Sequence, residues 1–207
     1  MKTKTIVEKR KSVTLKVEGD TLIIRRPFNI SDEVVESFIV KKKEWIDKQL
    51  KLNQVFEVSF ETDLILMDSP IKLVFKKGEE NRIIKHETVW TVISKTEKSG
   101  LNLVQDNLRG MLHKKIEEYI KVLQSIKPFQ VNQIKIKNLK SSWGNCNSRK
   151  ELSFALRLIH MKESFIESVI AHEVSHLFVM NHSASFYRVL SQFDPDYRSS
   201  IKDLSGQ

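Results

Sequence analysis

The sequence contains a single cysteine, Cys146, among its 207 residues. One thiol cannot form an internal disulfide, so the chain does not resemble a disulfide-stabilised secreted domain and fits a reducing compartment. No run approaches the roughly 18 apolar residues that a membrane-spanning helix needs, so no membrane partner is expected. The basic residues 1–5 are not followed by the apolar stretch of a secretory signal. We therefore expect a cytoplasmic protein.

Histidine is also scarce, but three of the six histidines stand close together. His172 and His176 frame the pentapeptide His-Glu-Val-Ser-His, and His182 stands six residues later. Residues four apart share one face of a helix, so both imidazoles can be directed at one metal ion. Catalytic zinc takes three protein ligands and a water molecule, and it lowers the pKa of that water to about 7. The pattern predicts one zinc ion per chain, with Glu173 beside it as the base that accepts a proton from the water.

The third ligand is predicted from the residues after the pentapeptide. The chain contains no glutamate after Glu173, which excludes a site completed by a downstream glutamate. The remaining acidic candidates are three aspartates, Asp194, Asp196 and Asp203. The Asp-Pro-Asp sequence at 194–196 is more typical of a turn, so His182 is the favoured ligand. His182 can reach the other two histidines only if the helix ends first, and Asn181 is expected to end it by adopting the left-handed conformation.

Hydrophobic periodicity predicts an α+β fold. Alternating residues on either side of Gly19-Asp20 predict a β-hairpin, and further strands are predicted at 55–60, 71–77, 82–93, 131–137 and 151–157. Helices are predicted after a Ser31 cap, from Asn102 to about residue 125, and from near Lys162 through the histidines. Small residues on the last helix would allow it to pack closely against the preceding one. We expect a β-rich region with one helix at 1–100 and a catalytic domain at 101–207, in which two packed helices accompany a small sheet.

Positive charge is concentrated in residues 101–150, which contain ten lysines and arginines against three acidic residues. This segment therefore carries +7 of the net charge of +9. A solvated basic face is the simpler interpretation, and attraction to nucleic acid is the alternative. The segment lacks interleaved aromatic residues that would stack on bases, so a nucleic-acid partner is possible but not favoured.

Other chemically capable residues have simpler interpretations. No cysteine-protease signature surrounds Cys146, so we expect its thiol to act as a small apolar side chain. Trp143 is expected to belong to the core. His86, His113 and His160 are expected at the surface or at helix ends.

The most specific part of the sequence resembles the YgjP-like metallopeptidase family. The resemblance runs from about Lys9 to Phe193 and is strongest in four segments: Lys140-Ser141-Ser142-Trp143-Gly144-Asn145-Cys146, Leu152-Ser153, the pentapeptide with Leu177, and Asn181-His182-Ser183 with Phe186. It implies a small zincin-like catalytic domain, with His172, His176 and His182 as metal ligands and Glu173 as catalytic acid/base.

The expected function is zinc-dependent hydrolysis of a peptide bond in a peptide or protein substrate. The backbone around 141–145 is expected to offer an edge strand to an extended peptide. The oxyanion-stabilising group stays open, with Tyr187 as one candidate, and the sequence indicates no oligomeric state. The alternatives are a nucleic-acid-associated protease resembling the SprT-like zincins, and a metal-binding fold without catalysis.

Overall fold

The computed structural model describes residues 2–18, 21–55, 58–139, 142–197 and 199. The described strands are β1 (Lys2–Val7), β2 (Thr14–Glu18), β3 (Thr21–Arg26), β4 (Leu64–Leu66), β5 (Ser69–Lys77), β6 (Arg82–Lys85), β7 (Val89–Ser94), β8 (Gln133–Lys137), β9 (Gly144–Cys146) and β10 (Glu151–Ala155). The described helices are α1 (Asp32–Lys41), α2 (Lys43–Val55), α3 (Glu97–Ile126), α4 (Glu163–Ser175) and α5 (Ala184–Phe193), with a 3-10 helix at Leu156–His160. The fold class is α+β, as predicted.

The chain divides into two compact units, Met1–Glu57 and Val58–Gln207. In the first unit β3 is the central strand, antiparallel to β2 and parallel to β1. The predicted hairpin strands are therefore confirmed, while Gly19-Asp20 lies outside the described residues. Leu22 and Ile24 of β3 pack with Val35 of α1 and Ile46 of α2 in a small core.

The second unit contains two sheets with the strand orders β4-β5-β7-β6 and β8-β10-β9. In the first sheet β5 and β7 are parallel, and each has an antiparallel neighbour, β4 beside β5 and β6 beside β7. In the second sheet β8 and β10 are parallel, and β9 is antiparallel to β10. Strand β9 is an edge of its sheet among the described strands, and it begins at the residue after Trp143. This edge position matters because the segment lies beside α4.

Helix α3 organises the core of the second unit. Its buried residues recur at steps of four and three, namely Gly100, Val104, Leu108, Leu112, Ile116, Ile120 and Leu123. Each fully buried leucine or isoleucine contributes on the order of 1.5–3 kcal/mol relative to an exposed one. The same hydrophobic cluster includes Trp90 and Val92 of β7, Phe154 of β10 and Ile170 of α4. Both sheets and the two helices therefore share one core.

Two sequence-based boundaries differ from the structure. Residue 100, the expected boundary between a 1–100 region and a 101–207 domain, lies in the first turn of α3, and the compact units meet at 57/58. Helix α3 begins at Glu97, not Asn102, because Thr96 caps it: its hydroxyl accepts from the Ser99 backbone N–H, and the Ser99 hydroxyl accepts in return from the Thr96 backbone N–H.

The N-terminal helical content was also underestimated. One helix was predicted after Ser31, whereas α1 and α2 succeed each other with Lys42 between them. The strand predicted at 55–60 is wrong in its described part, because Val55 is the last residue of α2 and residues 58–60 form no strand. Within the part of the chain that the structure describes, none of the helices combines the length and apolarity needed to cross a membrane.

Candidate metal centre

Helix α4 positions the first two histidines and the glutamate. The helix begins after Lys162, as predicted, and places Phe165, Val169 and His172 on one face. Its other side is buried against the core, where Ala171 and Ser175 are fully inaccessible to solvent. Helix α3 packs against α4, as the sequence predicted. The face that carries His172 is therefore part of a helix fixed on its opposite side by the core.

The chain leaves the helix just after the second histidine. Backbone bonds from Leu177 to Val174, and from Phe178 and Val179 to Ser175, form a tight turn after α4 ends at Ser175. Asn181 does not have a positive φ, so the prediction that it ends the helix in the left-handed conformation is wrong. Its side-chain oxygen instead accepts a hydrogen bond from the Ser183 backbone N–H, at the start of α5.

This turn brings the third histidine back to the first two. One nitrogen each from His172, His176 and His182 lies within 4.8 Å of the others, and the Nε2 atoms of His172 and His182 are 3.0 Å apart. Zinc binds imidazole nitrogens at about 2.0–2.1 Å, so nitrogens on one ion are separated by up to about 4 Å. The three side chains are within small adjustments of that spacing.

Hydrogen bonds orient two of these imidazoles. His176 Nδ1–H donates to the Val179 carbonyl oxygen at 3.1 Å, which leaves Nε2 unprotonated and able to bind a metal. His172 Nδ1 lies 2.7 Å from the phenol oxygen of Tyr197. This oxygen can accept a hydrogen bond from Nδ1–H when Nε2 binds a metal. Burial, with the neighbouring His176 and His182, lowers the pKa of His172 to about 4, so its imidazole is neutral at physiological pH.

Phe186 forms the floor beneath the three histidines. Its ring centroid lies 4.9, 4.6 and 4.8 Å from those of His172, His176 and His182, and the side chain is completely buried. Helix α5 carries this residue, four positions after His182. The helix that comes after the third ligand therefore supports all three.

The side chain of Glu173, a residue of α4, is buried against the edge strand β9. Only 7% of its surface is exposed, and this burial raises the pKa of its carboxyl group to about 7. Gly144 of β9 lies so close that a Cβ atom there would be 2.6 Å from Glu173 Cγ. The glutamate therefore occupies the space that any other side chain at 144 would need.

The aspartates do not join the histidines. Asp194 Oδ2 accepts a hydrogen bond from the Ser168 hydroxyl at 2.5 Å. The turn predicted at 194–196 is present, with a bond from the Tyr197 backbone N–H to the Asp194 carbonyl. This turn brings the chain back towards α4 and places Tyr197 beside His172. The sequence did not predict this contact of Tyr197. Asp203 lies outside the described residues.

Tyr187, the candidate for oxyanion stabilisation, lies to one side. It is 47% exposed and contacts the edge of Phe186. Tyr197 is the tyrosine that reaches the metal-binding face. The only sequence signal for it was its position directly after the Asp-Pro-Asp turn.

Cys146, His160 and His113 lie outside the histidine cluster and have structural contacts of their own. Burial and the Glu173 carboxylate raise the pKa of Cys146 to about 11, so its thiol stays protonated. His160 is the last residue of the 3-10 helix and is buried, with Nδ1 bonded to the Ile65 carbonyl, so the expectation of a surface position is wrong for this histidine. His113 lies on α3, within ion-pair distance of Glu117.

Several basic side chains of the 101–150 segment are paired with acids. Lys135 and Arg149 both contact Glu151, at 3.2 and 3.3 Å, and Lys115 contacts Glu163 and Glu167. Lys140 and Ser141 lie outside the described residues. The pairing neutralises part of the charge that a phosphate backbone would need.

Comparison with known proteins identifies a family for the chain. The sequence model of the YgjP-like metallopeptidase domain matches residues 11–207. No curated protein matches the chain significantly. Among solved structures, the crystal structure of the metallopeptidase zymogen of Pyrococcus abyssi abylysin is similar, with 22% sequence identity and a TM-score of 0.39 over 42% of this chain and 89% of that chain.

Proposed function

The chain belongs to the YgjP-like metallopeptidase family, and we propose that it is a zinc-dependent peptidase that uses Glu173 as its general base. The observation that carries the proposal is the convergence of three histidine nitrogens within 4.8 Å beside a buried glutamate. The donor set consists of three imidazole nitrogens, which suit zinc. We propose one zinc ion per chain, held by His172, His176 and His182.

The chemistry divides between the metal and the protein. When bound, zinc lowers the pKa of a water molecule to about 7 and polarises a carbonyl group. Glu173 accepts the proton from that water through its carboxylate and later donates it to the leaving amine. Its burial suits this exchange, because a carboxyl pKa raised towards neutrality allows both proton uptake and release.

We propose that the substrate peptide adds to the edge strand β9. An extended peptide can pair with an exposed sheet edge through backbone hydrogen bonds. Gly144 lies on this strand and touches Glu173, so a peptide on the edge would pass beside the general base. The glycine leaves no side chain between strand and glutamate.

The metal proposal is tested by measuring zinc per chain in protein purified without chelators. His172→Ala, His176→Ala and His182→Ala should each weaken zinc binding, because three-ligand sites lose affinity sharply with one ligand removed. The matched control is His113→Ala, a histidine on α3 far from the site in sequence, which should keep full zinc content. Undiminished zinc in the His182→Ala protein, together with loss in Asp194→Ala, would assign the third ligand to the aspartate.

The catalytic proposal is tested with Glu173→Gln. This variant should retain zinc and fold but lose at least about 100-fold in peptide hydrolysis, the usual scale of a missing general base. Hydrolysis of a denatured protein is monitored by mass spectrometry of its fragments. A zinc-loaded parent that cleaves no denatured protein would instead support the non-catalytic metal-binding alternative.

A further inference from the structure

A cavity of about 280 Å³ lies beside the metal-binding face of α4. His172 and Glu173 line one end of it, while Val169 and Phe165, one and two turns earlier on the helix, line its wall. His176 and His182 do not line it. The cavity therefore extends from the catalytic groups towards the N-terminus of α4.

Phe165, Val169 and Trp143 form an apolar part of the cavity wall, which Ser142, Gly144 and Tyr197 complete. Phe165 is 4% exposed and Val169 is 6% exposed. The Trp143 indole, which also lines the cavity, packs edge-on against Phe165 with ring centroids 5.3 Å apart. The guanidinium of Arg157 lies 4.4 Å from the Trp143 ring centroid, and Arg157 also donates to the Ser142 carbonyl at 3.4 Å. These contacts fix the indole as a rigid wall.

Glu173, the charged group of the cavity, disfavours a charged substrate side chain. Among the described residues, neither lysine nor arginine lines it, so an acidic side chain would find no cationic partner. Glu173 would repel such a side chain. A basic side chain would pair with the carboxylate of Glu173 and oppose its uptake of a proton. An uncharged apolar side chain avoids both costs and gains free energy by leaving water.

The position of the cavity identifies which substrate residue would enter it. If Glu173 exchanges protons with the water and the leaving amine, the scissile bond lies at the end of the cavity that this residue lines. The volume is near the lower end of the range of about 300–1,000 Å³ that whole ligands occupy, so it suits one side chain. We propose that the cavity is a specificity subsite for a leucine-, methionine- or phenylalanine-sized side chain on a residue flanking the scissile bond. This inference rests on the proposed peptidase function.

The test uses amino-acid hydroxamates, whose metal-binding group is constant while the side chain varies. Zinc-loaded protein is titrated calorimetrically with the hydroxamates of glycine, leucine, phenylalanine and aspartate. Burial of a leucine or phenylalanine side chain predicts binding about 10- to 100-fold tighter than that of glycine hydroxamate. Aspartate hydroxamate should bind no more tightly than glycine hydroxamate.

Two substitutions at Val169 connect the preference to this cavity. Val169→Phe should fill it and reduce the leucine advantage to less than about threefold, whereas Val169→Ala should enlarge it and favour phenylalanine over leucine. If the larger side chain prevents folding, the alanine variant still gives the test. Val122→Phe is the matched control, because Val122 is a 53% exposed valine on α3, and it should retain the parental preference.

The outcomes separate the subsite from the peptidase function. Equal affinity for glycine and leucine hydroxamates on zinc-loaded protein would overturn the subsite and leave the metal site intact. Protein that binds neither zinc nor any hydroxamate would overturn the proposed function itself. Cleavage of a peptide library at sites flanked consistently by an apolar residue on one side would support both.

Discussion

Gly144→Ala tests how closely the edge strand β9 packs against Glu173, the proposed general base. The added Cβ would lie 2.6 Å from Glu173 Cγ and 2.9 Å from both Cδ and Oε1. Non-bonded carbon atoms pack at roughly 3.5–4.0 Å, so the glutamate or the strand must move by about 1 Å. Glu173 is only 7% exposed and cannot simply rotate into solvent.

Two effects should result from this displacement, one on folding stability and one on catalysis. Overpacking a buried contact costs about 1–3 kcal/mol of folding free energy. A catalytic group displaced by about 1 Å can lose about 100-fold in rate. Zinc content should be unchanged, because the three nearest atoms to the new methyl group all belong to Glu173 and none to a histidine. The variant should therefore be zinc-loaded, moderately destabilised and nearly inactive.

The assay compares denaturant unfolding, zinc content and peptide hydrolysis in a double-mutant cycle. Glu173→Ala removes Cγ and the carboxyl group, so Gly144→Ala should cost little stability in that background, with a coupling of about 1–3 kcal/mol. Gly110→Ala is the matched control: no atom lies within 4 Å of its added Cβ, and alanine should stabilise α3 by about 0.5–1 kcal/mol. Parental activity in Gly144→Ala, or additive stability effects in the cycle, would refute this reasoning.

Three other predictions concern the surroundings of the site. Tyr197→Phe removes the oxygen that accepts from His172 Nδ1, and it should weaken zinc binding about 10-fold in a chelator competition while the fold is retained; unchanged affinity would argue against this orienting role. Phe186→Ala should cost about 3–5 kcal/mol in denaturant unfolding and lower zinc affinity as well, since the floor under three imidazoles is lost; a loss of stability without any loss of affinity would show that the histidines are held independently. Filter binding to DNA should be weak and fall by orders of magnitude between about 50 and 200 mM salt, because Lys135 already pairs with Glu151; tight binding at the higher salt would favour the nucleic-acid-associated alternative.

The clustering of the three histidines was predictable because the signals for it are local. Helical geometry alone places His172 and His176 on one face, and the absence of later glutamates favours His182. The periodicity of α4 likewise indicated its start near Lys162. None of these inferences required knowing which distant segments meet.

The supporting contacts were not predictable, since each joins segments distant in sequence or depends on a specific backbone turn. Tyr197 reaches His172 across 25 residues, and the proximity of Gly144 to Glu173 depends on how the edge strand docks on α4. The exit from α4 was assigned to Asn181 because asparagine tolerates positive φ, yet a tight turn at 176–179 does this earlier. A cap with serine three residues after Thr96 was likewise missed, because glutamate or glutamine is the usual signal there.

The early end of α4 explains how one short segment can complete the site. If the helix continued past Ser175, His182 would be carried along the helix and away from His172 and His176. The turn instead brings His182 back to the other two histidines within six residues of His176. The Val179 carbonyl in this turn accepts a hydrogen bond from His176 Nδ1–H. The chain then supplies His182, the floor under the imidazoles, and finally the phenol oxygen beside His172. Because this segment contributes His182 and the contacts that orient the other two histidines, its ordering and the proposed metal binding should stabilise each other, whereas α4 is held by the core whether or not metal is bound.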